Sequence, residues 1–217
     1  TATSLHAHGS TNTTILIEGD TGAGATFINF ADGVPNTKAQ ISGAKVGGSG
    51  GRLIFSTNNS SGTLTEHMRI EAAGQVTMPL QPAFQVAAAA QANLPISTNT
   101  TLNFNNEVFD QGSNYAGTSF TAPVTGKYQL NVIVYCLTLD SAAAYVQVSL
   151  RTSNRQYYAI FSTNTLSQDA AYMTFPIAVL ADMDASDTAH VEVQLNNSGA
   201  AQITVTPNSA FSGYLVA

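Results

Sequence analysis

Between Gly126 and Cys136 the sequence GKYQLNVIVYC puts an apolar side chain at every second position: Tyr128, Leu130, Val132 and Val134. Successive side chains of a strand point to opposite faces, so a period of two makes this segment a strand with one face in a core. The pattern recurs in AYVQVSLRTSN (144–154), where Val146, Val148 and Leu150 alternate with Tyr145, Gln147 and Ser149, and in AHVEVQLNN (189–197), where Val191, Val193 and Leu195 alternate with Glu192 and Gln194. AQITVTP (201–207) and FSGYLVA (211–217) complete the set, the last strand running to the final residue. Strands at this spacing, separated by turn residues, predict an all-β sandwich or jelly roll over residues 81–217.

Composition supports β structure throughout. Charged residues make up 9% of the 217 positions, against roughly a quarter in ordinary soluble domains. Thr, Ser, Asn, Gln and Gly take their place, and most of these favour turns and extended chain over helix. The 44% of hydrophobic residues suffice for a core. A net charge of −6 with seven scattered Lys and Arg excludes the basic patch of a nucleic-acid binder. No apolar run is long enough to span a bilayer, so no membrane insertion is expected. The chain opens on Thr1 with neither an initiator Met nor a signal-peptide pattern, as expected of a chain that is processed or numbered from inside a longer protein. Cys136, the single cysteine, rules out an internal disulfide and falls on the apolar period of its strand, where it packs as a small hydrophobe.

Residues 1–80 read differently. Short apolar pieces, TILIEG (14–19), ATFINFAD (25–32), AQISGAKV (39–46), RLIFSTN (52–58) and EHMRIEAAGQVTMP (66–79), are each bounded by turn residues. GAKVGGSGGRL (43–53) reads as a tight turn or flexible loop. One copy of so sparse a region buries little surface and needs a partner, either further copies of itself or the second half. VAAAAQAN (86–93), held between Pro82 and Pro95, reads as extended or irregular chain.

The stretch FTAPVTGKYQLNV (120–132) is a corner: Phe120 anchors one strand, Pro123 ends its pairing, Gly126 turns the chain and Tyr128 starts the next. Together with AF (83–84), LNF (102–104), NYAGTSFTAPVTGKYQLNV (114–132) and the terminal FSGYLV (211–216), it resembles the globular head of complement component 1q, in the tumour necrosis factor jelly-roll superfamily. LADMDASDTAHVEV (180–193) resembles that family's penultimate turn, with Ser186 where Gly often stands. The first half, through GRLIFST (51–57) followed by EHMRIEAAGQV (66–76), resembles the short-stranded, shaft-proximal part of bacteriophage tail fibres, which usually leads into a tip module. Both resemblances imply a homotrimer.

Candidate chemistry is thin. GGSGG (47–51) has the spacing of a nucleophile elbow around Ser49, but a strand follows it where the elbow requires a helix. His6 and His8 lie near the N-terminus, either in a tail or as a metal pair if three chains meet there; His67 sits in a strand that a trimer axis could gather. Asp182, Asp184 and Asp187 start like a calcium loop without its Gly and closing Glu, and read more simply as an acidic turn. Tyr157 and Tyr158 are neighbours and so face opposite ways; with Tyr115 and Tyr172 they are the residues available to stack on a sugar, anchor a partner or fill a subunit interface. No catalytic constellation is present in the sequence and no cofactor is implied, with calcium through the Asp cluster the one option, so the chain is not expected to be an enzyme.

The function that follows from the resemblances is a trimeric tail fibre or fibre tip on the virion exterior, joined to other virion proteins through its N-terminal region and binding a host surface glycan or protein receptor. A capsid decoration or head fibre, and a secreted lectin-like adhesin, are the alternatives.

Overall fold

A computed structural model describes residues 25–32, 37–197, 199 and 203–217. His6, His8 and the TILIEG segment lie outside the described residues. The chain is all-β and divides into two compact units, Thr1–Pro79 and Leu80–Ala217. The described residues include no helix long and apolar enough to cross a membrane.

The first unit is a five-stranded antiparallel meander: β1 (Ala25–Ala31), β2 (Thr37–Val46), β3 (Gly50–Asn58), β4 (Leu64–Ile70) and β5 (Val76–Thr77), hydrogen-bonded in that order. The glycine-rich segment 43–53, expected as a tight turn or flexible loop, is a tight turn whose flanks are paired. β2 and β3 stay in register as far as Val46 opposite Gly50, and only residues 47–49 turn. Gly47 supplies the left-handed φ of 55° that this tight turn needs. Ser49 thus sits in a hairpin turn between two strands. The Asn59 side-chain oxygen accepts from the backbone N–H of Ser61 and of Thr63, at 3.0 and 2.9 Å, and closes the next turn. No apolar residue described in this unit is buried; its buried side chains are Ser42 and Ser56.

The second unit is a sandwich of two sheets. Its strands are β6 (Ala83–Ala87), β7 (Thr100–Thr101), β8 (Asn106–Gln111), β9 (Tyr115–Ala116), β10 (Ser119–Thr121), β11 (Gly126–Leu139), β12 (Tyr145–Thr152), β13 (Gln156–Phe161), β14 (Ala170–Met183), β15 (Thr188–Asn196), β16 (Thr204–Val205) and β17 (Ala210–Leu215). One sheet runs β14-β11-β17-β6-β8 with β16 on β11, the other β13-β12-β15-β10-β9 with β7 on β15. The inward residues of the alternating runs fill the space between them: Tyr128, Leu130, Val132, Val134 and Cys136 from one sheet, and Val146, Val148, Leu150, Val191, Val193 and Leu195 from the other. Residues 88–93 are irregular, with one bridge from Gln91 to Val205.

The corner after β10 is built on aromatic packing. Phe120 stacks on Phe84 with ring centroids 4.6 Å apart, and Tyr128 tilts against Phe120 at 5.5 Å. The Ala122 N–H donates to the Asp187 carbonyl, and the Ser186 N–H returns a bond to the Ala122 carbonyl, both at 2.8 Å. These bonds lock the corner onto the turn before β15. Ser186 holds a left-handed φ of 76°, the conformation that glycine adopts without strain. Pairing of the terminal strand continues past β17, with the Lys127 N–H donating to the Ala217 carbonyl at 2.7 Å.

Candidate interaction surfaces

The outward face of the β14-β11-β17-β6-β8 sheet follows from the same alternation that built the core. Between Tyr128, Leu130, Val132 and Val134 stand Gln129, Asn131, Ile133 and Tyr135, and these point away from the sandwich. Register assembles them into cross-strand rows: Tyr214–Gln129–Leu180, Ser212–Asn131–Ala178 and Ala210–Ile133–Pro176. None of these rows carries a charge. Ile133 is 48% exposed and Leu180 58%. The Gln129 amide donates to the Asn131 side-chain oxygen at 3.1 Å, so its polar groups pair partly with one another. Tyr172, the most exposed large side chain here, stacks on Tyr135 with centroids 6.3 Å apart.

The outward face of the other sheet is polar. Gln156, Arg151 and His190 form one row, and Tyr158, Ser149 and Glu192 the next. The Glu192 carboxylate, 10% exposed as a side chain, accepts from the Arg151 guanidinium at 2.9 and 3.1 Å and lies 3.2 Å from His190 Nε2. A carboxylate this covered is tolerated because a guanidinium pairs with it. The Tyr158 hydroxyl bonds to the Gln156 amide, and the Tyr158 ring stays half exposed beside Ile160.

The four tyrosines singled out in the sequence do not converge. Tyr157 packs against the core, as its neighbour's outward position requires. Tyr115 stacks on Phe84 at 5.4 Å; its hydroxyl is buried without a hydrogen-bond partner, and burial holds its pKa far above the usual phenol range. Tyr158 and Tyr172 present exposed rings, on opposite sheets. The three aspartates do not form a cage. Asp182 is gripped by Arg155 through Nε at 3.0 Å and Nη2 at 3.2 Å, which lowers its pKa below the usual carboxylate value. Asp187 accepts from the Asp184 N–H at 2.8 Å and from the Asn154 amide at 2.9 Å. Among the described residues no three acidic, histidine or cysteine side chains come together to hold a metal ion. His67 lies in β4 with Nε2 2.8 Å from the Thr57 hydroxyl.

Sequence reasoning missed the Arg151–Glu192–His190 cluster. Its signal was present: His190 and Glu192 occupy outward positions of one strand, and Arg151 an outward position of a second strand of the same alternating pattern.

Two face-to-face antiparallel sheets in this strand order define a tumour-necrosis-factor-like jelly roll. The chain belongs to the C1q domain family, whose match covers residues 83–216. Domains of this family are typically non-enzymatic binding modules that generally assemble as homotrimers. Among solved structures, the globular domain of zebrafish complement 1qA is similar at 15% identity and a TM-score of 0.47, covering 63% of this chain and 98% of that one. Murine APRIL is similar at 15% identity and a TM-score of 0.45, covering 63% and 99%. No curated protein sequence matches the chain.

Proposed function

We propose that the chain is a trimeric fibre or fibre-tip protein of a bacteriophage virion, whose C1q-type head binds a host surface receptor. The observation that carries the trimer is the three uncharged outward rows around Ile133, Leu180 and Tyr214, which end at the Lys127–Asp182 row. Exposed apolar area of that kind is unfavourable in water and marks a protein–protein interface. The fibre assignment is supported by the resemblance of residues 51–76 to shaft-proximal fibre segments. Receptor binding is supported by the polar outward face of the second sheet, where Arg151, held in place by Glu192, and the exposed Tyr158 ring offer hydrogen bonds and a stacking surface suited to a saccharide. In a trimer, three weak sites on one head gain from effective concentration.

The test has three parts. Mass measurement of the full chain in solution should give three copies; a monomer removes the proposal. Labelling on intact particles should place it at a fibre end, whereas a label spread over the capsid supports a decoration role. Purified trimer should bind host cells and block infection, and Tyr158→Ala should weaken both. A trimer that neither binds nor blocks overturns the receptor role.

A further inference from the structure

The first unit is one sheet with no second layer among the described residues, and a lone sheet leaves both faces in water. Its two faces are unlike. Register places Ile28, Ile41, Phe55 and Met68 in one row, Thr26, Gly43, Leu53, Ile70 and Val76 in the row on one side, and Phe30, Ala39 and Thr57 in the row on the other. No charge falls in these three rows; Lys45 lies one row further out and His67 at the margin, bonded to Thr57. The opposite face also carries Phe27 and Ile54, but there Arg69 bridges Glu66 at 2.7 Å and Glu71 at 3.1 Å, and Gln40 donates to Asn29 at 2.8 Å.

We propose that the uncharged face of β1–β4 is an interface between copies of this chain, closed by the same face of the two other copies in a trimer. The inference rests on the trimeric reading of the head and adds a second, separate contact. A partner of opposite charge has nothing to recognise here. Residues 1–24 contain four large apolar residues, Leu5, Ile15, Leu16 and Ile17, against eight on the face, and so match it poorly as a cover. A second copy presents the same rows. Five residues, 78–82, separate β5 from β6 and reach at most about 18 Å, so assembly of the heads brings the sheets to high local concentration. Four strands about 4.8 Å apart, paired over six residues of about 3.3 Å, give a face on the order of 400 Å². Three such faces sum to roughly 1,200 Å², about 400 Å² for each pair of copies, which is below a free-standing interface and so adds to the contact the heads make rather than replacing it.

Photo-crosslinking of the full chain tests this. Phe55→p-benzoylphenylalanine should yield covalent dimers and trimers on irradiation, and the same group at Phe27, on the opposite face, should leave the chain at monomer mass. In parallel, Ile41→Lys should keep the head trimer while making the region before Pro79 sensitive to protease. If the wild-type chain is trimeric but the Phe55 adduct stays at monomer mass, or Ile41→Lys remains as resistant as wild type, this interface is overturned and the head trimer stands. A monomeric wild-type chain overturns both.

Discussion

The Tyr128 hydroxyl donates to the Val124 carbonyl at 2.8 Å, across the corner that joins the two sheets. Tyr128 is fully buried, so this bond satisfies a phenol that has no access to water. Tyr128→Phe keeps the ring and its packing on Phe120, and leaves the Val124 carbonyl without this donor. The expected loss is about 1 kcal/mol of unfolding free energy, read from urea denaturation. Tyr128→Ala removes the ring as well and should cost about 3–5 kcal/mol.

Gly213 lies opposite Phe84 on one side and Leu130 on the other. A Cβ at Gly213 would stand 2.6 Å from Leu130 Cδ2 and 2.9 Å from Phe84 Cε1, closer than packed atoms tolerate. Gly213→Ala therefore forces core side chains off their rotamers. It should destabilise by about 1–3 kcal/mol, seen as a lower melting temperature.

Much of the head was legible because its strands alternate strictly. A residue such as Val132 declares both its strand and its facing, and the FTAPVTGKY corner and FSGYLV end carry steric requirements at Tyr128 and Gly213. The long β14 was not read as a strand. Pro176 interrupts it, and a proline lacks the N–H that a central strand must donate. The structure places β14 at the sheet edge, paired on one side to β11, where that lack is tolerated. The polar cluster was hidden for another reason. Arg151 and Glu192 are 41 residues apart, and only the β12–β15 register sets their rows side by side. In the first unit the glycines around residue 47 marked the turn between two strands but left its length open, because glycine signals a turn without showing how short it is.

Ser186 occupies a left-handed turn conformation that costs a residue bearing a Cβ about 1 kcal/mol. Ser186→Gly relieves that strain but adds freedom to the unfolded chain, which offsets part of the gain. A net stabilisation of about 0.5 kcal/mol is expected from denaturant midpoints. A loss would mean that the turn does not hold this conformation in solution.

Ile133 stands at the centre of the uncharged outward face, between Ala210 and Pro176. Ile133→Lys places three ammonium groups in the interface of a trimer, where burying an unpaired charge is costly. It should shift the solution mass towards monomer while leaving the β-sheet circular dichroism unchanged. A trimer as tight as wild type would show that the heads meet through another surface.

Cys136 points into the sandwich and is fully buried, and burial pushes its thiol up from the usual value of 9.0 to about 12. The thiolate is the reactive form, so the folded chain should resist a thiol reagent at pH 8 and react only at the rate of unfolding. The sign of the pH effect follows from linkage. An unfolded chain releases this proton near pH 9, whereas the folded chain holds it to about pH 12. The native state therefore binds more protons across that interval, and its stability is full below pH 9 and declines as the pH rises through it. Cys136→Ala removes this contribution at the cost of a small cavity. The variant should start less stable at neutral pH and show a shallower fall between pH 9 and 11, measured by urea midpoints. Equal slopes in the two proteins would show that the thiol is not held in the core.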